Sequence, residues 1–182
     1  MRIIDFVQEH IDASIESLPF ETSFRSKEKN SVLTEFDQLE KSVYFIRSGV
    51  LNSAIRFKEE DRVLDFHFEG SFCASYSSLL SNQPSDTRII CYTDCELEVV
   101  SYEELSELYT HSLLANQIGR IATERLFFER VRREKELLTM TAEERYQKML
   151  DKSPQLLQRI AIKDLAKYFG VRPESLSRIR RK

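Results

Sequence analysis

Apolar residues recur at helical spacing at the start of the chain. The stripe consists of Ile4, Val7, Ile11 and Ile15, and acidic and amide side chains lie between its members. Apolar residues three or four positions apart share one face of an α-helix, and a helix rarely continues into the residue before a proline. The pattern therefore predicts an amphipathic packing helix that ends before Pro19.

The pattern changes to short alternating runs from residue 22 to about residue 100. Turn signals separate these runs at residues 48–49, 58–61 and 69–70, and the alternation lapses between residues 73 and 86. Alternation with a period of two is typical of strands that have one buried face. Many short strands at this spacing predict an antiparallel barrel or sandwich with one irregular interruption.

A helical period returns after Ser101 and covers a long stretch from about Ser112 to Leu138 that contains no proline and one glycine. Two apolar sides of this helix need two partners, so we expect one side to pack on the barrel and the other on the same helix of a second subunit. The alternative is a single long helix buried within one monomer. The residues assigned to the dimer helix are Leu114, Ile118, Ile121, Arg125 and Phe128, and the second apolar side carries Leu113, Phe127, Val131 and Leu138.

Composition changes this picture only through charge, because 41% hydrophobic and 31% charged residues are ordinary for a globular protein. The net charge is −3, but it is unevenly distributed. Residues 142–182 carry 11 basic and 5 acidic side chains, a net charge of +6, while the first 141 residues carry 16 and 25, a net charge of −9. A basic C-terminal unit on an acidic body indicates a protein that presents one face to phosphates.

The first residues have neither the apolar run of a signal peptide nor the length of a membrane span, so we expect a cytoplasmic protein without membrane contact. The three cysteines, Cys73, Cys91 and Cys95, form no CxxC pair and are interpreted as free thiols in a reducing compartment. The three histidines are far apart in sequence, so no metal site and no cofactor are predicted.

The strongest local motif is IKDLAKYFGVRPESLSRIRRK at the C-terminus. Ala166 is small where two helices would cross, Gly170 permits the positive φ of a tight turn, and Pro173 suits the first turn of a second helix. These spacings predict a helix-turn-helix. The buried contacts of its second helix would come from Val171, Leu176 and Ile179.

Opposite the buried positions, Glu174, Arg178 and Arg181 line up at i, i+4 and i+7, where they would face the major groove of DNA. Arginine can bond to O6 and N7 of guanine, glutamate can accept from the amine of cytosine, and serine reaches either bases or phosphates. Base contacts are assigned to Glu174, Ser175, Arg178 and Arg181, and phosphate contacts to Lys163, Lys167, Arg172, Ser177, Arg180 and Lys182.

Nearly the whole chain resembles the Crp/Fnr family of transcription regulators. The resemblance rests on EGSFCASYSSLLSNQPSDTRI, which is similar to the effector-pocket segment, on TAEERY, where the DNA-binding domain begins, and on FGVRPESLSRIRRK as recognition helix. It implies an α+β fold with an N-terminal antiparallel β-roll of the jelly-roll, cyclic-nucleotide-binding type. A long dimerisation helix and a C-terminal helix-turn-helix follow. The resemblance also implies that Glu174 and Arg178 are the residues of the recognition helix that contact the bases.

The effector pocket departs from the family pattern. Members that bind cyclic nucleotides carry an acid after the glycine and an arginine for the phosphate, whereas this chain has Ser71 after Gly70 and a serine near the place of the arginine, with Arg88 three residues on. A buried phosphate would lack its charged partner, so we expect no tight binding of cyclic AMP. The pocket candidates are Ser71, Phe72, Ser85, Thr87 and Arg88.

Three further departures concern the DNA-binding end and the cysteines. Arg172 stands where members with this Pro-Glu pattern have a threonine or serine as N-cap, and an arginine there would contact phosphate instead. The chain ends at Lys182, directly after the recognition helix, so we expect little or no β-hairpin wing. No cysteine precedes Cys73, which argues against an iron-sulfur cluster.

These observations divide the chain into residues 1–111 as N-terminal helix and roll, 112–138 as dimerisation helix and 139–182 as DNA-binding domain. They predict a homodimeric regulator, not an enzyme, that binds palindromic double-stranded DNA. RNA polymerase and an unidentified small-molecule effector stay open as further partners. The alternative is an effector-sensing or protein-interaction module with weak or no DNA binding.

Overall fold

The computed structural model describes residues 1–58, 60–152 and 158–180, with the side chain of residue 152 left out. The chain divides into two compact units, Met1–Glu124 and Arg125–Lys182. The first unit holds the β-strands and the second is helical. The strands are β1 Ser23–Lys27, β2 Val32–Thr34, β3 Ser42–Ser48, β4 Leu51–Phe57, β5 Glu60–His67, β6 Phe72–Cys73, β7 Thr87–Cys91 and β8 Cys95–Ser101; the helices are α1 Ile3–His10, α2 Tyr76–Ser81, α3 Tyr102–Leu108, α4 Leu113–Thr139, α5 Ala142–Lys152, α6 Ile162–Phe169 and α7 Pro173–Ile179.

The strands form two antiparallel four-stranded sheets, in the orders β1-β8-β3-β6 and β2-β7-β4-β5. Consecutive strands β7 and β8 belong to different sheets, so the turn at residues 92–94 is a corner between them. The predicted α+β fold, an antiparallel roll followed by a long helix and short C-terminal helices, is confirmed.

The inner faces of the sheets bury the apolar half of the alternating pattern. Leu51 and Cys91, paired neighbours on β4 and β7, are both fully buried, and Leu97 lies in the same cluster. A second cluster packs α1 onto the roll. The first cluster consists of Tyr44, Ile46, Leu51, Cys73, Ile89, Cys91, Cys95 and Leu97, and the second is built around Ile3, Phe6, Val7, Phe45, Val100 and Leu105.

Helix α1 is shorter than the spacing predicted and buries a different face. It ends at His10 instead of continuing toward Pro19, and its buried residues are Ile3, Phe6 and Val7. The backbone amide of Ile3 donates to the buried carboxylate of Glu98 on β8 (3.0 Å), a contact at long sequence separation that sets which face turns inward.

The end of α1 has a local cause. The carboxylate of Asp12 accepts hydrogen bonds from the amide and the hydroxyl of Ser14 (2.8 and 2.7 Å). Aspartate side chains that bond the backbone two residues on favour a turn over a helix. The prediction that Ile11 and Ile15 continue the helix is therefore wrong.

Helix α4 covers the long stretch that the sequence predicted to be helical. In the first unit, Ala115 and Ile118 are buried, and Leu114 and Ile121 pack partly buried against the cluster around α1. The ring of Tyr109 lies so close to Gly119 that a Cβ there would come within 2.5 Å of the Tyr109 hydroxyl. This side of α4 is thus occupied by the roll of its own chain.

The second unit has its own small core between α5, α6 and α7. Tyr146 and Phe169 meet edge to face, with ring centroids 5.9 Å apart. Such aromatic pairs stabilise a core beyond the area that they bury. The buried residues of this unit are Tyr146, Ile160, Leu165, Ala166, Phe169 and Leu176.

The turn between β3 and β4 requires glycine at position 49. Gly49 has φ +100°, and a Cβ there would lie 2.5 Å from the carbonyl oxygen of Asp94 and 2.9 Å from Cα of Cys95. Both of these neighbours are backbone atoms of the corner between the sheets, so they cannot move aside cheaply. Gly70 also has a positive φ, +80°, but its nearest neighbour is the flexible side chain of Met1, at 3.1 Å.

We therefore predict that Gly49→Ala lowers the free energy of unfolding by about 3 kcal/mol, from backbone strain and a clash together. Gly70→Ala, the matched control, costs about 1 kcal/mol because only the left-handed conformation opposes it. Urea unfolding followed by tyrosine fluorescence measures both. Equal costs at the two positions would contradict the tight corner.

Candidate effector pocket and nucleic-acid interface

Two of the predicted pocket residues come together in a buried hydroxyl cluster. The Ser85 hydroxyl donates to the carbonyl of Thr87 (2.6 Å) and accepts from the Thr87 amide (3.1 Å). A further hydrogen bond, 2.7 Å between oxygens, joins Ser85 to Ser75. Only 1% of Ser85 and 2% of Ser75 is exposed. The hydroxyls at this place therefore satisfy each other and the backbone.

A buried carboxylate lies beside these hydroxyls. Glu40 accepts from the amides of Ser42 (3.1 Å) and Ser75 (3.5 Å) and from the Tyr44 hydroxyl (3.3 Å), and the Thr34 hydroxyl also donates to it. Burial, and after it the Glu40 charge, raises the pKa of Tyr44 above its usual value. An anion placed here would meet a negative charge in a poorly screened interior.

Arg88, the nearest arginine to the predicted phosphate position, is already paired. Its guanidinium lies 3.3 Å from a carboxylate oxygen of Glu35 and 3.6 Å from one of Asp61. Both acids are partly exposed, so the three side chains form a rim network. The charge of Arg88 is therefore offset by two acids.

The other two pocket candidates make their contacts elsewhere in the first unit. The Ser71 hydroxyl donates to the carbonyl of Phe68 (2.6 Å) in the turn before β6. The ring of Phe72 packs against Phe6 and Phe45, with centroids 5.2 and 4.8 Å apart. The structure thus groups Ser85 with Thr87 and gives Ser71 and Phe72 roles in a turn and in the core.

Sequence reasoning missed Ser75 and Glu40. Ser75 lies ten residues before its partner Ser85, and Glu40 precedes β3 in a polar stretch that resembles a solvated turn. Nothing in the alternation of polar and apolar residues marks either side chain as buried. Their roles depend on contacts between elements that are distant in sequence.

In the second unit, α6, a turn and α7 follow one another as the motif predicted. Gly170 ends α6 in the left-handed conformation (φ +70°), and its amide bonds back to the carbonyl of Ala166. Arg172 is the extended N-cap of α7 without a side-chain cap, and Pro173 begins the helix. Leu176 is fully buried, which determines the face that α7 turns inward.

Six of the ten candidate DNA-contacting side chains are exposed on α6, on α7 or directly beside α7. Glu174 and Arg178, one turn apart on α7, are exposed. Ser175 and Ser177 are half-buried, and Arg181 and Lys182 lie outside the described residues. The exposed phosphate candidates are Lys163, Lys167, Arg172 and Arg180.

Two arginines that the sequence did not single out hold the end of α6. Arg145 donates to the carbonyl of Phe169 (3.1 Å), and Arg133 donates to that of Tyr168 (3.5 Å), with its guanidinium 3.9 Å from the ring centroid of Tyr168. The last carbonyls of a helix lack partners within it, and cations there are favourable. Burial, and after it the Arg133 charge, lowers the pKa of Arg145. These contacts fix where the turn toward α7 begins.

The TAEERY segment begins α5 with a capping box. The carboxylate of Glu144 accepts from the amide of Thr141 (2.7 Å), and the Thr141 hydroxyl accepts from the amide of Glu144 (3.2 Å). The hydrogen bond from the Thr141 amide lowers the pKa of Glu144. The contribution of this pair to stability is therefore complete above the ordinary glutamate pKa and is lost as the pH falls through the lowered value.

The residues assigned to the dimer helix divide into two groups. Ile118 is buried, and Leu114 and Ile121 pack against the roll, so these three serve the monomer. Arg125 is exposed, and 74% of Phe128 is exposed. Other exposed apolar residues of α4 are Leu113, Phe127, Leu137 and Leu138, with exposed fractions of 75%, 65%, 51% and 79%.

None of the helices in the described ranges is long and apolar enough to cross a membrane. Among the same residues, no three histidine, cysteine, aspartate or glutamate side chains are grouped as ligands for a metal ion.

The first unit matches a known family of protein domains. Residues 24–112 match the family model of the cyclic nucleotide-binding domain. The roll of the first unit is therefore a domain of this class. No curated protein sequence matched the chain.

Solved structures then show that the whole chain has the fold of Crp/Fnr transcription regulators, as the resemblance implied. The c-di-GMP-responsive global regulator CLP of Xanthomonas campestris is similar over 98% of this chain and 89% of its own, with 17% identity and a TM-score of 0.70. FixK2 from Bradyrhizobium japonicum covers 88% and 83%, with 18% identity and a TM-score of 0.72. A Eubacterium rectale protein described as a Crp/Fnr family transcriptional regulator covers 98% and 81%, with 12% identity and a TM-score of 0.69.

Proposed function

We propose that this chain is a homodimeric, DNA-binding transcription regulator of the Crp/Fnr type with an altered effector pocket. The observation that carries the proposal is the orientation of α7. Burial of Leu176 turns Glu174 and Arg178 to the solvent on a short helix. Its partner helix α6 is held at its C-terminal end by Arg133 and Arg145. This is the arrangement in which a recognition helix reads base edges in the major groove.

Charge supports binding to phosphate on the same unit. The basic excess of residues 142–182 includes exposed Lys163, Lys167, Arg172 and Arg180, which flank the turn and α7. Backbone phosphates supply most of the affinity of such complexes, and side chains like these position the helix in the groove. Ser177 and Lys182 belong to the same proposed set, and Ser175 and Arg181 join the base-reading residues.

Exposed apolar residues on α4 support a homodimer. Phe127, Phe128 and Leu138 place large apolar surfaces in solvent, and clusters of this kind mark protein interfaces. A symmetric pair of recognition helices about 34 Å apart would enter successive major grooves of a palindromic site. An effector, or RNA polymerase, would act by favouring one geometry of that pair over another.

The alternative is a sensing or protein-interaction module whose roll and long helix act without DNA. One observation favours it: Arg172 provides no side-chain cap at the N-terminus of α7. An uncapped helix is less stable by about 1 kcal/mol, and a less stable α7 would present its side chains to DNA less well. Salt-sensitive DNA binding that depends on Lys167 distinguishes the two functions.

We predict that the chain binds random-sequence duplex DNA and that its affinity for DNA falls steeply as the salt concentration rises. Basic side chains release the cations condensed on the DNA phosphates when they bind, and this release is less favourable at high salt. Lys167→Ala should reduce the slope of log affinity against log salt by about 1. Fluorescence anisotropy at several salt concentrations measures the slope. Arg120→Ala is the matched control, because this exposed arginine of α4 pairs with Glu124 in the first unit (2.7 Å) and should leave the slope unchanged.

Absence of binding even at low salt would move the assignment to the sensing or interaction module. An equal loss of slope in both variants would show a response to net charge rather than a contact from α6. The proposed role of Lys167 would then be wrong.

We also predict that cyclic AMP does not bind with micromolar or tighter affinity. At the place of the phosphate, Ser75 and Ser85 bond to each other beside the Glu40 carboxylate, and Arg88 is paired with two acids. A buried phosphate without a cation is strongly disfavoured. Isothermal titration of the full chain measures this, with a cyclic-AMP-binding protein as positive control. A micromolar dissociation constant would contradict the altered pocket.

A further inference from the structure

Two of the three cysteines meet at the corner between the sheets. Cys91 is the last residue of β7 and Cys95 the first of β8, so only three residues separate them where the chain passes from one sheet to the other. Both are free thiols buried in the same apolar cluster. Neither the proposed DNA contacts nor the pocket uses this pair.

The backbone around the pair holds the thiols together. The Cys95 thiol donates to the carbonyl of Val50 (3.5 Å), and the amide of Tyr92 in the corner donates to the same oxygen (2.8 Å). Cys91 pairs with Leu51, which follows Val50 and is the first residue of β4. Both cysteines are therefore held against one short segment of β4 and the turn before it.

The pKa values of the two thiols are shifted in opposite directions. The hydrogen bond from Cys91 lowers the pKa of Cys95 to about 7, while the same contact and burial raise the pKa of Cys91. The thiolate is the nucleophilic form of cysteine. Cys95 also keeps 3% of its surface exposed, whereas Cys91 is fully buried. The Cys95 sulfur is therefore assigned as the nucleophile of the pair.

We propose that Cys91 and Cys95 are a redox modification site that hydrogen peroxide converts to an intramolecular disulfide. The Cys95 thiolate attacks one peroxide oxygen, so an S–O bond forms, the O–O bond breaks, and the leaving hydroxide takes a proton to become water. The Cys91 sulfur then displaces the sulfenic oxygen, which leaves with two protons as a second water. The two sulfurs together lose two electrons, and peroxide is reduced to two waters.

The disulfide would join the end of one sheet covalently to the start of the other. One of its two cysteines, Cys91, ends β7, the strand that begins at Thr87 beside the buried Ser85. Oxidation would therefore fix the corner covalently at the end of β7, the strand whose first residue, Thr87, is hydrogen-bonded to Ser85. Cys73, also in this cluster and 1% exposed, is the buried thiol against which selectivity is judged.

Positions of basic residues make the test direct. Trypsin cuts after Arg88 and Arg120 but nowhere between them, so both corner cysteines lie in the peptide 89–120, whereas Cys73 lies in the peptide 63–88. After peroxide treatment of the folded chain and alkylation of the remaining thiols, mass spectrometry reads the two peptides separately. We expect peptide 89–120 to lose two hydrogens, at least tenfold faster than Cys73 is oxidised, and dithiothreitol to restore it.

Three variants keep the test sharp. Cys73→Ser should form the disulfide as the unaltered chain does, and Cys91→Ser should stop at a sulfenic acid on Cys95 that dimedone traps. Cys91→Ala replaces Cys91→Ser if a buried hydroxyl disturbs folding, which circular dichroism shows. Full alkylation of both corner thiols after treatment, a cross-link between the two peptides, or oxidation of Cys73 at a similar rate would each overturn the proposal.

Discussion

Burial of the inner faces of two antiparallel sheets against each other is the constraint on which the first unit depends. A jelly-roll-like domain closes only where the chain passes from one sheet to the other, and at one such corner Gly49 lies against the backbone of residues 94 and 95. The buried polar groups follow from the same closure. Because Ser75, Ser85 and Glu40 are removed from water, each must find partners within the roll. Their partners are one another and neighbouring groups of the roll, and the interior beside the two serines contains a carboxylate.

The second unit applies the same rule on a smaller scale. One buried leucine, Leu176, and the glycine turn at Gly170 set the orientation of α7, while guanidinium groups from Arg133 and Arg145 hold the end of α6. A helix of seven residues has little stability of its own. Its presentation of Glu174 depends on these neighbours, so contacts far from the proposed DNA surface determine whether that surface exists.

Local features of this chain were predictable from sequence, and long-range contacts were not. Alternation along the strands, the long helix α4 and the positive φ of Gly170 each follow from spacing or from one residue type. The buried face of α1 depends instead on Glu98, 95 positions from its partner Ile3. The hydroxyl cluster, the guanidinium contacts on α6 and the meeting of Cys91 with Cys95 likewise need the folded chain. Local spacing indicates which element a residue belongs to, but it does not show which side chains from distant elements share an interior.

Selection of preferred sequences from a random pool of duplex DNA by the full chain tests the central claim most directly. The proposed function predicts a two-fold symmetric site whose half-site centres lie about 10 base pairs apart, matching two recognition helices about 34 Å apart. It also predicts that Arg178→Ala loses the preference for one G·C pair in each half-site while still binding DNA. Enrichment of no sequence, or of a single half-site without a symmetric partner, would contradict a dimeric regulator that reads DNA through α7.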